Sequence, residues 1–361
     1  MRIGIDAREL CGKPTGVGRH LAGLLAAWDA DPAASRHTFV LYAHQVAQET
    51  APFRRGELRL VPGAGGTLWE QVALPQAARR DQLDVFLAPG YTAPLAWTVP
   101  TVVIVHDISF VAHPEWFGWR EGVRRRLVTR SSSGRAKLVL TVSEAARREI
   151  LSHFGLAPDR VRCIYPGVAT LRNSANAAST REPLVLFVGS IFNRRHIPDL
   201  VRAFAPIARS HAAARLEIVG DNRTYPHEDL PAIVAGEGLQ DRVTLRPYVF
   251  DRELADLYAR AGACALLSEY EGFGHPPLEA LAAGVPSVLL DTDVAREVCG
   301  DAALYVRLGN VAETTSALRS LLFDENVRTR LLDAGPALLA RYSWQRAARE
   351  TLKALEAAGN D

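Results

Sequence analysis

Short apolar runs alternate with helix-like stretches from one end of the chain to the other. Thirteen of them read as strands: RIGID, TFVLYA, LRLVP, DVFLAP, TVVIVHD, KLVLTVS and VRCIYPG, then LVLFVGS, ARLEIVG, VTLRP, ACALLS, SVLL and ALYV. An apolar run with little polar alternation is what a strand looks like when both its faces are covered, and intervening helices supply the cover. The pattern predicts an α/β chain built on parallel sheets. Between Leu171 and Pro183 the alternation breaks. LRNSANAASTREP is small and polar without an apolar period, so it predicts a linker at 173–183 between two Rossmann-like domains, 1–172 and 184–343, facing each other across a cleft.

Open parallel sheets bind ligands at the carboxyl ends of their strands. The positions that follow the strands are therefore the informative ones. They include Asp6 with the loop holding Gly16 and Gly18, His106 and Asp107, and Ser143 and Glu144. In the second series they are Gly189 and Ser190, Gly220 and Asp221, Pro247, and Glu269 with Glu271. The richest stretch is EGFGHPPLEALAAG, 271–284, which follows the strand ACALLS and opens a helix. Gly272 and Gly274 let backbone approach a ligand closely, and the N–H groups and dipole of the helix start favour an anion such as a diphosphate. Pro276 and Pro277 suit the first helical positions, which puts Glu279 in the first turn. Glu271 and Glu279 can then face one cleft and accept hydrogen bonds from sugar or ribose hydroxyls.

Two motifs point elsewhere and fall short. Gly16 and Gly18 give G-x-G, but position 21 is Leu21 and the loop begins about ten residues after its strand, unlike a dinucleotide fingerprint. Asp291, Thr292 and Asp293 form a DxD triplet of the kind that can hold a divalent metal, here at a position that suits a turn.

SEYEGFGHPPLEALAAGVPSVL closely resembles the signature of the retaining GT-B glycosyltransferases of family 4, Glu-x7-Glu in an EGFG-x-P-x-x-E-A-x-A-x-G context. MRIGIDAREL with TGVGRH, TVVIVHDISF, LTVSEAARREI, FVGSIFNRRHIPDLVRAF and REVCGDAALYV fall in the same family's order. Within that family the chain resembles the bacterial polysaccharide mannosyltransferases and their relatives. The resemblance implies a GT-B fold whose terminal segment, 344–361, packs back on the first domain. It implies that Arg194 and Arg195 contact the leaving diphosphate, with Arg195 standing where the family usually has Lys. It implies that His106 lies beside the donor sugar, partly through its carbonyl, that Glu271 holds sugar hydroxyls and Glu279 ribose hydroxyls, and that Phe273 and Gly274 contribute backbone. Gly16 and Gly18 would approach donor phosphates and acceptor, with Arg19 an additional cation, while Gly189, Ser190 and Gly272 complete the donor site. The expected activity is transfer of a hexose, mannose from GDP-mannose first, from a nucleotide diphosphate sugar to a glycan or glycolipid hydroxyl with retention, without metal or cofactor. The alternatives are an epimerase or glycosyl phosphorylase on the same scaffold, or a non-catalytic sugar-nucleotide-binding subunit.

Composition changes this picture little. A chain of 361 residues, 48% hydrophobic and 23% charged, is long enough for two cores, and a net charge of +2 offers no bulk attraction to nucleic acid. Cys11, Cys163, Cys264 and Cys299 lie far apart without metal-ligand spacing and read as buried thiols of a reducing compartment. No stretch approaches the ~18–20 apolar residues of a membrane span, so the expectation is a cytoplasmic protein. The segment 116–135 sets Trp116, Phe117 and Trp119 among Arg120, Arg124, Arg125, Arg126, Arg130 and Arg135. It fits either peripheral contact with the inner face of a membrane or a solvated helix face.

Overall fold

The computed structural model describes residues 1–12, 16–46, 53–168 and 181–360. The linker expected at 173–183 therefore lies mostly outside the described residues. Compact packing divides the chain into unit 1, Met1–Gly167 with Tyr342–Asp361, and unit 2, Val168–Arg341. These changeovers come slightly earlier in the chain than the boundaries read at 172 and 343.

Unit 1 carries a seven-stranded parallel sheet: β1 (Arg2–Asp6), β2 (Thr38–Ala43), β3 (Gly56–Leu60), β4 (Val85–Ala88), β5 (Thr101–Ile104), β6 (Leu138–Thr141) and β7 (Val161–Cys163), in the order β3-β2-β1-β4-β5-β6-β7. Side chains alternate between the faces, so Phe39 and Leu41 enter one core layer while Val40 and Tyr42 enter the other. The first layer lies under the helices Gly16–Ala30 and Trp344–Asn360, which contribute Leu24, Trp28, Leu352 and Leu355. Trp28 Nε1 donates to the Ala348 carbonyl at 2.9 Å. Trp344 fills space left by two glycines, since a methyl group at Gly23 or Gly167 would collide with it. That fit anchors the terminal helix on unit 1. One strand differs from the sequence reading: LRLVP was expected, but β3 begins at Gly56 and is exposed along most of its length. An edge strand has polar positions, and its apolar run marks only its end.

Unit 2 carries a six-stranded parallel sheet: β8 (Leu184–Val188), β9 (Arg215–Val219), β10 (Val243–Arg246), β11 (Ala263–Leu266), β12 (Ser287–Leu290) and β13 (Ala303–Val306), in the order β10-β9-β8-β11-β12-β13. Each sheet has a point where successive connections leave in opposite directions, between β1 and β4 in unit 1 and between β8 and β11 in unit 2. Loops diverge there and leave a crevice at the carboxyl ends of the strands.

Because Leu355 is fully buried in the layer shared with β1, Leu355→Ala should destabilise the protein by about 2–5 kcal/mol. Urea unfolding measures this, and a loss well under 1 kcal/mol would mean that the terminal helix is not part of that core.

Candidate functional site

At the switch point of unit 2, the chain leaves β8 through Gly189 and Ser190 and turns through a 3-10 segment, Asn193–Arg195. Gly189 has φ +137°, and a side chain there would collide with the Arg195 guanidinium. Gly220, at the end of β9, has φ +149° and sits so close that a side chain would strike the Gly189 carbonyl. These two glycines let Arg195 fold back over the strand end. Its Nη1 donates to the Ser190 carbonyl at 2.9 Å, and its Nη2 lies 2.7 Å from Glu271 Oε1. The pair is mostly shielded, with the two side chains 12% and 19% exposed. Arg194 stacks on the Phe192 ring, 4.3 Å from its centroid, and its carbonyl accepts the Glu269 N–H at 3.0 Å. That backbone bond ties the loop after β8 to the loop after β11.

Beyond Glu271, Gly272 and Phe273 are buried, and Gly274 caps the helix His275–Ala282 with φ +89°, a left-handed conformation that favours glycine. Pro276 and Pro277 follow His275, so Glu279 is the fifth helical residue and not a first-turn acid. It is buried, and Glu279 Oε2 accepts a hydrogen bond from the Tyr258 hydroxyl at 3.2 Å. Tyr258 escaped the sequence reading because it lies at core spacing beside Leu254 and Leu257 in the helix Asp251–Arg260. The same region lines a shallow pocket with Ser268, Glu271, Phe273, Gly274 and Thr292.

The other acids and polar residues of the sequence reading have local work. Asp291 is held by Arg296 through two bonds of 2.7 and 2.9 Å, and Thr292 caps the helix that Asp293 begins by accepting the Ala295 N–H. Ser143 accepts the Ala146 N–H as a helix cap, and Glu144 pairs with Arg147. Asp107 accepts the Ser109 N–H and the Tyr91 hydroxyl. Gly16 and Gly18 belong to the first turn of the helix Gly16–Ala30 and not to a loop, because the helix begins at Gly16. Gly16 is exposed there, whereas Gly18 is buried. Cys264 and Cys299 are buried, and burial pushes their thiols up to about 12. Among the described residues no group of three His, Cys, Asp or Glu is placed to hold a metal.

In unit 1, His106 lies just past β5 with Nε2 2.9 Å from the Pro89 carbonyl. A carbonyl only accepts, so Nε2 carries the proton and Nδ1 keeps its lone pair. Burial moves the imidazole pKa below its ordinary value, with the Pro89 bond and Asp107 opposing, so the ring is neutral at pH 7. The His20 ring packs edge-on against it at 5.1 Å and against Trp344 at 5.6 Å. Asp6 ends β1 and is 2% exposed. Arg8 spans from Asp6 Oδ2 at 3.1 Å to Glu70 Oε2 at 3.2 Å. Sequence reasoning missed Arg8 and Glu70, which are brought together only by the fold.

Residues 14–172 match the family described as Glycosyltransferase Family 4, and residues 182–324 match Glycosyl transferases group 1. The chain is a family 4 glycosyltransferase. It is 28% identical over 297 residues to O-antigen chain mannosyltransferase B of Escherichia coli, covering 77% of this chain and 75% of that protein. It is also 28% identical over 303 residues to MMP alpha-(1->4)-mannosyltransferase of Mycolicibacterium hassiacum, covering 78% and 72%. Among solved structures, sucrose-phosphate synthase of Thermosynechococcus elongatus superposes with a TM-score of 0.81 at 17% identity, over 99% of this chain and 98% of that one. WaaG, a glycosyltransferase involved in lipopolysaccharide biosynthesis, superposes with a TM-score of 0.76 at 16% identity, over 98% and 99%. The fold of this glycosyltransferase is GT-B, with two parallel-sheet Rossmann-like domains.

Desolvation outweighs Arg8 at Asp6 and pushes its carboxyl up to about 6 from 3.8. The unfolded chain therefore releases this proton first as pH rises, and stability falls between those values. Measured by urea unfolding, the wild type should lose about 2 kcal/mol relative to Asp6→Asn between pH 4 and pH 6.5, and change little above. A difference that stays flat across this window would place Asp6 ionised in the folded protein.

Proposed function

We propose that the enzyme transfers a hexose, mannose from GDP-mannose in the first instance, to a hydroxyl of a glycan or lipid-linked glycan in the synthesis of cell-surface polysaccharide or glycoconjugate. Configuration is retained and no metal takes part. The observation that carries the reading is the Arg195–Glu271 ion pair at 2.7 Å at the switch point of unit 2, with buried Glu279 in the helix that follows Glu271. The mannosyltransferase names of the relatives favour the sugar. A structure of similar fold, Anabaena HepE, holds UDP and glucose, which favours a nucleotide diphosphate sugar as donor.

Each group then has a physical task. Glu279, oriented by Tyr258, accepts the ribose hydroxyls. Glu271 accepts sugar hydroxyls, and Arg195 exchanges that carboxylate for the diphosphate. Prolines at the second and third helical positions remove two N–H donors, so Gly274 and His275 supply the helix-start N–H groups that meet phosphate. Arg194, with Gly189, Ser190, Gly272 and Phe273, completes the donor side. His106 offers a neutral ring with an acceptor Nδ1 to a sugar hydroxyl, and Gly16 and Gly18 give backbone to phosphate or acceptor. Negative charge on the diphosphate grows as the glycosidic bond breaks, and a fixed guanidinium stabilises that charge more in the transition state than in the bound donor. No carboxylate is assigned as a nucleophile. The acceptor attacks on the face the diphosphate leaves, and the diphosphate takes its proton.

A thermal-shift screen of nucleoside diphosphates and their sugars tests the reading, since a ligand at ~100 times its dissociation constant adds about 2.7 kcal/mol. The expected stabiliser is GDP-mannose, and no shift with any sugar nucleotide would overturn the assignment. Arg195→Ala should lower kcat on the order of 10²–10³-fold with a smaller change in donor KM, whereas Glu279→Ala should mainly raise donor KM. Equal kcat in wild type and Arg195→Ala would remove Arg195 from the diphosphate site. Turnover should persist in EDTA, because Arg296 occupies Asp291 of the DxD triplet; loss that manganese or magnesium restores would contradict this.

A further inference from the structure

Among the described residues three non-glycines take a positive φ: Gln82, His196 and Tyr91. Tyr91 has the largest value, +69°, in the turn that leaves β4. Across it the Gly90 carbonyl accepts the Thr92 N–H at 2.8 Å, so Tyr91 is the middle of a three-residue turn of a rare and strained form. Glycine fits such a backbone, and a bulky aromatic residue there is an outlier. Strain of this kind persists only where surrounding contacts over-determine it. Here the Tyr91 hydroxyl donates to Asp107 Oδ2 at 3.0 Å, its N–H donates to the Ile104 carbonyl at 3.0 Å, and its ring meets Phe110 edge-on at 6.0 Å. Asp107 is fixed in turn, because its Oδ1 accepts the Ser109 N–H at 2.9 Å. What the turn presents is the Pro89 carbonyl, two residues before Tyr91, which accepts the His106 Nε2 proton at 2.9 Å. The Tyr91 ring also lies against the imidazole, with centroids 5.6 Å apart.

We infer that Tyr91 is a positioning residue for His106: its side chain pins the strained turn so that the Pro89 carbonyl holds the imidazole in one tautomer, with the Nδ1 lone pair kept as an acceptor. This role rests on the reading of His106 as a sugar-site residue. A tyrosine kept only for packing could meet Phe110 from a relaxed backbone. The hydroxyl bond to Asp107 and the carbonyl on His106 both need the turn as it stands. Without that carbonyl the imidazole could carry its proton on either nitrogen, and Nδ1 would be a donor in part of the molecules. Burial keeps the ring uncharged, and the titratable groups beside it are Asp107, His20 and Tyr91 itself.

Nitrogen NMR of the imidazoles in the ligand-free protein reads the tautomer and pKa of His106, with His106→Gln to assign the signal, and steady-state kinetics read the consequence. Tyr91→Phe removes only the hydroxyl, whereas Tyr91→Gly removes the side chain and relaxes the backbone. In Tyr91→Gly the Nδ1-protonated tautomer should appear, the His106 pKa should rise toward the ordinary imidazole value, and kcat should fall on the order of 10–10²-fold. Tyr91→Phe should move all three in the same direction by less, and it keeps the test available should the glycine variant fail to fold. The thermal shift given by a nucleoside diphosphate should keep its wild-type size in both, reporting an intact donor side. Tyr91→Ala should unfold at a lower temperature than Tyr91→Gly, because alanine keeps the backbone strain that glycine releases. A shifted His106 signal beside an unchanged kcat would support the positioning and remove His106 from the sugar site instead. A wild-type tautomer and pKa at His106 in both Tyr91→Phe and Tyr91→Gly, with only the unfolding temperature lowered, would show a packing role and overturn the inference. So would an alanine variant more stable than the glycine one, since the turn would then carry no strain.

Discussion

Arg195 occupies the space that a side chain at position 189 would need, and the candidate site depends on that exclusion. Gly189 leaves room for the guanidinium, and Gly220 leaves room for the Gly189 carbonyl. The loops after β8 and β9 can therefore close to backbone contact, and Arg195 is pinned between the Ser190 carbonyl and Glu271. A cation on a long, flexible side chain becomes a fixed one. A cation fixed before a ligand arrives needs no reorganisation to act on charge that develops during a reaction.

The Asp6 cluster of unit 1 and the candidate site of unit 2 handle charge in opposite ways. In unit 1 Asp6 sits beside Arg8, yet Arg8 is shared with Glu70 and desolvation prevails, so the Asp6 carboxyl holds its proton to about pH 6. At the unit 2 site the Arg195–Glu271 pair stays partly open to solvent, and buried Glu279 accepts a hydroxyl donor from Tyr258, while Glu217, also buried in that unit, pairs with Arg246 at 2.6 Å. A hydrogen bond to a charged group contributes about 1.5–3 kcal/mol, enough to fix the orientation of the carboxylate. The first arrangement braces the end of β1. The second keeps acceptors and a cation available to a polar ligand.

Strands covered on both faces were legible because burial removes polar residues from them, as in VFLA of β4 and ACAL of β11. β3 was misplaced by two residues because GELRL faces solvent along an edge and carries no such run. The Glu-x7-Glu spacing, the glycines and Arg194–Arg195 were legible as a chemical set, since they lie close together in sequence or directly after strands. The helical register of Glu279 was not. The proline rule suggested a start one residue later, whereas His275 takes the first position. Gly16 and Gly18 read as loop because glycine is a poor helix former, but a helix start tolerates it. The pairings Arg8–Glu70 and Tyr258–Glu279 join residues 62 and 21 positions apart. No local pattern signals such pairs.

If Arg195 serves a diphosphate while Glu271 serves the sugar, calorimetric titration of Glu271→Gln separates the two roles most directly. In the wild type the Glu271 carboxylate would then compete with phosphate for Arg195. The substitution should therefore leave the affinity for a nucleoside diphosphate unchanged or raise it. Affinity for the matching nucleotide diphosphate sugar should fall by roughly tenfold or more, as expected for a lost charged hydrogen bond. Parallel loss of affinity for both ligands would contradict the division of labour between Arg195 and Glu271.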